Sequence, residues 1–492
     1  LLPRSLKQSI RMRQRLQADA YITVYLSLSL TIILALILAL LQGARTGAVR
    51  MKSELVVDIA MNSALGEYNR ELFEKYGLLL IDTTYGGTNG SVIHTRDHIE
   101  KYFSKNFELS PVGLVTGRST MMPARLSSAD ITGYSVATDG GGAVLKRQIL
   151  SYMGSEPVEA AIKSIQNNAD QLKNSGFEEM NVENEAQSNA NDINTPRELD
   201  LDGNGENETY YVDNPAAGVT AQKSVGILSL AAPDINVIST AAIDSSTLAS
   251  HRKLLKGTGL DETVATGAGP DMLFERYLHE KCGCYGLEKD DSYLKYELEY
   301  ILAGKDSDYA NLEKVVERLF LIKEAANYVY IMNDPAKLAE ADALALTASV
   351  LLTLPELQEA IKMAIIFAWT FAETISDLRI LLSGGKVPLI KTADSWNLSL
   401  EHMLEFRDHL KNGGGSGLSY EDYLKMLLIL EKKQKKTMRF MDIIEINIRK
   451  LSGNEAFSLD RCVDIISVDF DILGAYNKKI EIERIYGYEM FD

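Results

Sequence analysis

The sequence predicts an α+β protein: a long N-terminal transmembrane and stalk helix, then a mostly helical ectodomain with small antiparallel β elements. Three observations predict it. No charged residue stands between Asp19 and Arg45. Apolar residues recur at helical spacing through residues 309–382 and 419–450. Two alternating runs, Val463 to Leu473 and Lys479 to Tyr488, flank Gly474.

The apolar run comes first. Ile22 to Leu41 reads ITVYLSLSLTIILALILALL, a length that rises roughly 30 Å as a helix and matches a bilayer core. A buried core helix is the competing reading, and the 25 uncharged residues of 20–44 near a terminus weigh against it. A cleaved secretory signal would have an apolar region of about 7–15 residues and a small-x-small site. This run is longer and continues into helical sequence. Arg4, Lys7, Arg11, Arg13 and Arg15 precede it and Arg45, Arg50 and Lys52 follow it, a bias that places the N-terminus in the cytoplasm and the C-terminal domain extracellular. The chain begins with Leu rather than Met, which leaves room for a longer N-terminus.

Beyond the span, Val57, Met61, Leu65, Tyr68, Leu72 and Tyr76 recur at intervals of three and four while Arg50, Glu54, Asp58, Glu67, Glu71 and Lys75 take other faces. That predicts an amphipathic helix running to Gly77, a rod of about 80 Å counted from Ile22. Gly43, Ala44, Gly47 and Ala48 offer a small-residue face for another helix, or are chance small residues in a plain stalk.

The run Tyr21-Ile22-Thr23-Val24-Tyr25-Leu26-Ser27-Leu28, then Gly43-Ala44-Arg45 and a helix rich in Ala and Asn, resembles the N-terminal region of Tad-pilus pseudopilin-like proteins of the TadE and TadG type. Over most of the chain, including Tyr296-Glu297-Leu298-Glu299-Tyr300-Ile301-Leu302-Ala303-Gly304, the sequence resembles an uncharacterised clostridial family of surface proteins with a domain of unknown function. Segments of the pseudopilin type commonly carry Glu five residues into the apolar run, and Tyr25 stands there, a departure that puts prepilin-peptidase processing in doubt. The resemblance implies partners in the bilayer and pilus or pseudopilin-like proteins bound through the N-terminal helix.

Along the rest of the chain, Leu78 to Ile81 reads as a short strand, Val92 to Phe107 as a helix, Ala124 to Thr138 as a strand and Ala143 to Lys173 as largely helical. Residues 174–217 turn to Asn, Glu, Asp and Ser, the composition of a mobile acidic linker or insertion. Three helices follow over 309–332, 335–352 and 355–382. Lys362 and Glu373 bracket one apolar stretch and Asp342 and Glu356 another, each too short to cross a membrane, so these are core helices. A long helix over 419–450 carries Lys432, Lys433, Lys435 and Lys436 as a solvated face, and Leu294 to Leu302 is expected to join the C-terminal hairpin in a sheet. The resulting division is a basic cytoplasmic leader (1–20), a transmembrane helix (21–44), a stalk (45–77), a membrane-proximal α+β module (78–173), the acidic linker (174–217) and a helix-rich ectodomain ending in a hairpin (218–492).

Charge bounds the function. The chain's net −17 divides into +7 over residues 1–52 and −24 over the remainder, which repels nucleic acid. Asp200, Asp202, Asn204 and Glu206 are spaced like the start of a calcium loop with Gly205 at the sixth position, but Tyr211 replaces the closing Glu, so an acidic turn explains them as well. His279, Cys282 and Cys284 are the candidate zinc ligands, with Cys462 as a distant fourth, yet the C-x-C spacing fits a disulfide or buried thiols better. Glu401, His402, Glu405 and His409 have helical spacing without the H-E-x-x-H order, as a solvated helix face would. No nucleophile elbow, Walker loop or dinucleotide fingerprint is present, and calcium is the one cofactor entertained. The expectation is a single-pass cell-surface protein of pseudopilin-like type associated with Tad-type pilus assembly or surface attachment. The alternatives are a membrane-tethered extracellular hydrolase and a ligand-binding receptor.

Overall fold

The structure is a computed structural model that describes residues 4–108, 124–154, 160–199, 208–212, 214, 216–260, 268–351, 354–474 and 478–488. Helix α1 runs unbroken from Arg4 to Leu65, 62 residues and so about 93 Å. The Ser and Thr hydroxyls of the apolar stretch are satisfied within the helix, as where Ser29 Oγ donates to Tyr25 O at 2.8 Å and Thr31 Oγ1 to Ser27 O at 2.8 Å.

The predicted stalk is different. From Val49 onward the helix is a core element, with Val56, Val57, Ala60, Met61 and Ala64 all buried. It ends at Leu65 rather than Tyr76, and a new helix, α2 (Arg70–Tyr76), starts where the Asn69 side chain accepts from Leu72 N. Gly77, at φ 69°, closes α2 at the expected stop. Periodicity spans the break because each helix buries an apolar stripe, Val57, Met61 and Leu65 of α1 in one core and Leu72 and Tyr76 of α2 in another, and the break itself is marked by Gly66 and the cap at Asn69.

The chain continues through β1 (Ile81–Asp82), α3 (Val92–Glu108), β2 (Arg125–Val136), α4 (Asp139–Met153), α5 (Ala160–Ser175), α6 (Val182–Asn194), β3 (Arg197–Leu199), β4 (Glu208–Tyr210), α7 (Ala268–Lys281), α8 (Glu297–Ala303), α9 (Asp308–Met332), α10 (Pro335–Leu351), α11 (Gln358–Leu382), β5 (Lys386–Val387), β6 (Leu418–Ser419), α12 (Tyr420–Leu430), α13 (Lys433–Arg449), β7 (Cys462–Leu473) and β8 (Lys479–Gly487). The main sheet is antiparallel. Strand β7 lies at its centre, pairing with β2 on one side and with β1 and β8 on the other (Ala129↔Phe470, Ile81↔Val463, Ile482↔Phe470). Val468, Phe470 and Ile472 pack there with α1 and with Phe103 and Phe107 of α3. The hairpin about Gly474 is as expected, but it closes a sheet begun at β1, so the 78–173 module and the C-terminal segment share one sheet.

The second core is helical, built on α9 and α11 around fully buried Phe371 and Trp369. Leu294 to Leu302 supplies a helix to it, not the expected strand. Its alternating acids are buried rather than solvated: Glu297 accepts from Gly283 N and Glu299 from Tyr285 N, both at 2.9 Å. The acidic linker is also partly folded, for α6 buries Val182 and Ile193. The helix expected over 419–450 is two. The chain turns extended at Glu431 and Lys432, and Lys436, expected in solvent, is buried and donates to Leu428 O at 2.6 Å.

Gly142 opens α4 at φ 93°, and a Cβ there would stand 2.6 Å from the Thr437 methyl of α13. Gly142→Ala is therefore expected to destabilise the fold by about 1–3 kcal/mol, measurable as a lowered urea midpoint. An unchanged midpoint would show that the contact relaxes freely.

Candidate functional site

Three features stand apart from the packed cores: the apolar part of α1, a cation-rich cleft, and buried clusters of titratable groups. Residues 21–41 of α1 present their large side chains outward, from Tyr21 at 75% to Leu41 at 61% exposed. The helix is long and apolar enough to cross a membrane, and its most apolar window is wholly unburied by the rest of the chain. Gly43, Ala44 and Gly47 are exposed beyond it, Ala48 is half-buried, and a Cβ at Gly43 or Gly47 would meet nothing within 4 Å.

The cleft, of about 650 Å³, lies between α9, the C-terminal end of α8 and the α12–α13 junction. Lys223, Lys305, Lys314, Arg318 and Lys435 face it with Glu183, Glu317 and Glu431, over a floor that includes Leu302, Val315 and Phe320. The carboxylates are engaged: Glu317 with Lys314 and Glu431 with Lys435, each at 3.0 Å, while Lys305 takes no ion pair among the described residues. Lys223 and Arg318 are in turn paired with Glu324 at 3.1 Å and Glu178 at 2.7 Å, so Lys305 is the lining cation left to meet an anionic group over the apolar floor. Among the described lining residues no nucleophile is paired with a base.

The strongest charge cluster is sealed. Lys391 Nζ, with no exposed side-chain surface, sits 2.6 Å from Glu373 Oε1 and 2.5 Å from Asp377 Oδ1. Lys323, also fully buried, donates to Pro388 O at 2.8 Å and lies 3.4 Å from Asp377 Oδ2. Glu373 also accepts from the backbone N–H groups of Asn397 and Leu398, both at 2.8 Å. Burial pushes the Glu373 carboxyl up. It works to lower the Lys391 ammonium too, but Asp377 and Glu373 hold that group above its ordinary value. Without access from outside, the cluster fastens the loop of residues 388–398 onto α11.

One cluster brings hydroxyl, imidazole and carboxylate together. Ser250 Oγ donates to Asp442 Oδ2 at 2.5 Å and lies 2.8 Å from His251 Nδ1. In a serine hydrolase the imidazole stands between the other two. Here the hydroxyl does, so its proton is committed to Asp442 and the order does not activate it.

The predicted metal ligands fare as follows. Asp200, Asp202, Asn204 and Glu206 lie outside the described residues. Cys282, Cys284 and Cys462 are buried free thiols. Burial, with Glu297 next, pushes the Cys282 thiol up, while Cys462 Sγ is turned to Ser458 O at 3.3 Å. Among the described residues no group of three or more His, Cys, Asp or Glu side chains is arranged to hold a metal ion. Glu401 and His402 are exposed on one short 3₁₀ turn, exposed Glu405 precedes a second that carries His409, in place of one α-helix, and His402 stacks on His409 at 3.8 Å.

His279 gives a pH prediction. Both ring nitrogens are buried without hydrogen-bond partners among the described residues, and burial, helped by Lys425, pushes the imidazole down to about 3 from 6.5. The folded state binds this proton less readily than the unfolded chain, so its contribution is intact above pH 6.5 and is lost as pH falls toward 3. Wild-type stability is expected to fall in that window by up to about 1.4 kcal/mol per pH unit more steeply than in His279→Phe. Equal slopes in urea titrations would discard this assignment.

A family model described as "Family of unknown function (DUF5702)" matches residues 205–474, more than half of the 492 residues. The chain belongs to this family. The family segment takes in the cleft apart from Glu183, the sealed charge cluster and β7, and stops at the turn of the hairpin, so α1, β1, β2 and β8 lie outside it. No curated protein and no solved structure matches the chain significantly.

Proposed function

We propose that the chain is a single-pass cell-surface protein, N-terminus in the cytoplasm and folded domain outside, that serves as a pseudopilin-like component in Tad-type pilus assembly or surface attachment. The observation that carries the reading is α1: one helix whose first part is apolar and unburied and whose last part is a core element of the domain. An anchor built this way transmits the position of the membrane rigidly to the fold. The five basic residues ahead of the run against three behind it support the orientation. Protease shaving of intact cells is expected to remove the C-terminal domain; full protection would place the domain in the cytoplasm and end the pilus reading.

Lateral assembly would use the open face of Gly43 and Gly47, four residues apart on α1. Gly43→Leu with Gly47→Leu is expected to cut cross-linked oligomers in membranes about tenfold, the effect of losing a helix contact of roughly 1–2 kcal/mol. The domain's melting should not move, because both sites have space for a side chain. Undiminished cross-linking would remove this face from the reading.

Ligand binding at the surface is the second reading, favoured by the cleft and by Lys305, which takes no ion pair among the described residues.

A further inference from the structure

We infer that the membrane-facing end of the sheet is a cationic collar that seats the domain directly on anionic phospholipid headgroups. This rests on the anchor reading and adds to it the lipid chemistry the domain recognises.

The argument begins with distance along α1. Arg45 lies roughly 6 Å past Leu41, the end of the apolar run. The headgroup layer extends about 5–7 Å beyond the hydrocarbon on each side. At that level α1 is already in contact with the fold. Gln42, Arg45, Thr46 and Val49 line a small crevice with Gly474, Lys478 and Ile480 of the hairpin, and a Cβ on Gly474 would touch Val49 Cγ1 at 3.5 Å. Gly474 and Lys478 therefore stand at the depth of the headgroups, with no stalk between.

Register brings in the neighbouring strand, for Leu473 pairs with Arg125, the first residue of β2. The antiparallel pairing of β7 with β8 sets Lys479 opposite Leu473 on the other side. One end of the sheet thus gathers Arg45, Arg50, Lys52, Arg125, Lys478 and Lys479. Arg50 pairs with Glu54 at 3.1 Å, Lys52 donates to Phe107 O at 3.0 Å, and Lys479 pairs with Asp471 and Glu481. Arg45, Arg125 and Lys478 are exposed and take no ion pair among the described residues. On a domain of net negative charge, this end sets six cations against the three carboxylates Glu54, Asp471 and Glu481 that pair with two of them, and a local positive excess is the polarity that phosphate headgroups select.

The test uses the full chain in nanodiscs of phosphatidylcholine alone and of equal parts phosphatidylcholine and phosphatidylglycerol, read by hydrogen–deuterium exchange. Exchange in residues 478–484, on the edge strand β8, is expected to slow about tenfold in the anionic discs and to lose that slowing in high salt. The variant Arg45→Glu, Arg125→Glu, Lys478→Glu should exchange alike in both lipids, and Lys478→Gln alone should lose part of the slowing. Equal exchange of the wild type in the two lipids, with the chain inserted in both, would overturn the collar and leave the anchor standing. A chain that does not enter nanodiscs at all would overturn both.

Discussion

Lys391→Met is expected to destabilise the helical core by about 3–5 kcal/mol, the cost of leaving buried charges without their partner. Glu373 and Asp377 would then share the interior with Lys323 alone, and the loop of residues 388–398 would lose the ammonium that binds Ser395 O at 2.7 Å. The sign of the pH dependence follows from Glu373, whose folded-state value lies above the ordinary 4.5. Its protonated form suits the fold better, so the damage in Lys391→Met should be greatest above the folded-state value and shrink as pH is lowered toward 4.5. Adding Glu373→Gln to the variant removes one orphaned charge and is expected to restore part of the loss. Urea unfolding at mildly alkaline and mildly acidic pH checks all three statements. A loss below about 1 kcal/mol, the scale of an exposed pair, would mean that water reaches the cluster.

The second large effect concerns the anchor. Leu30→Arg with Leu34→Arg places two charges on one face near the middle of the apolar run, where both leucines are exposed. At about 2.5–3.5 kcal/mol each, the pair opposes insertion strongly enough to shift the chain from the membrane to the soluble fraction. The domain should stay folded, since the core part of α1 begins only at Val49, and near-UV circular dichroism of the released chain would report it. Retention of the double variant in carbonate-washed membranes would show that something other than this run holds the protein.

How much could be read without the fold depends on how far apart the deciding residues lie. The apolar run, the helices α9, α10 and α11 and the β7–β8 hairpin were legible because spacing and polarity within a few turns settle them. Leu294 to Leu302 was misread for a physical reason: alternation of Glu with Leu and Tyr means a half-buried strand only if the acids meet water, and Glu297 and Glu299 do not. Lys436 was misread likewise, as one lysine among four whose interior partners lie on other elements.

The sealed cluster gave no signal. Lys323, Glu373, Asp377 and Lys391 look like ordinary helix and loop charges, and only the packing of α9, α11 and the loop after β5 places them together. The collar was half visible: Arg45, Arg50 and Lys52 follow the span in sequence, whereas Arg125 and Lys478 join them only through the register of β2, β7 and β8. The sequence by itself therefore determined the apolar helix, the helical periods and the acidic surface, because each is a property of neighbours along the chain. Tertiary structure alone decided that the last part of α1, from Val49, is core, that β7 enters a sheet begun nearly 400 residues earlier at β1, and which charges are buried in pairs. Burial and pairing are relations between distant segments, and their free energy exists only once those segments meet.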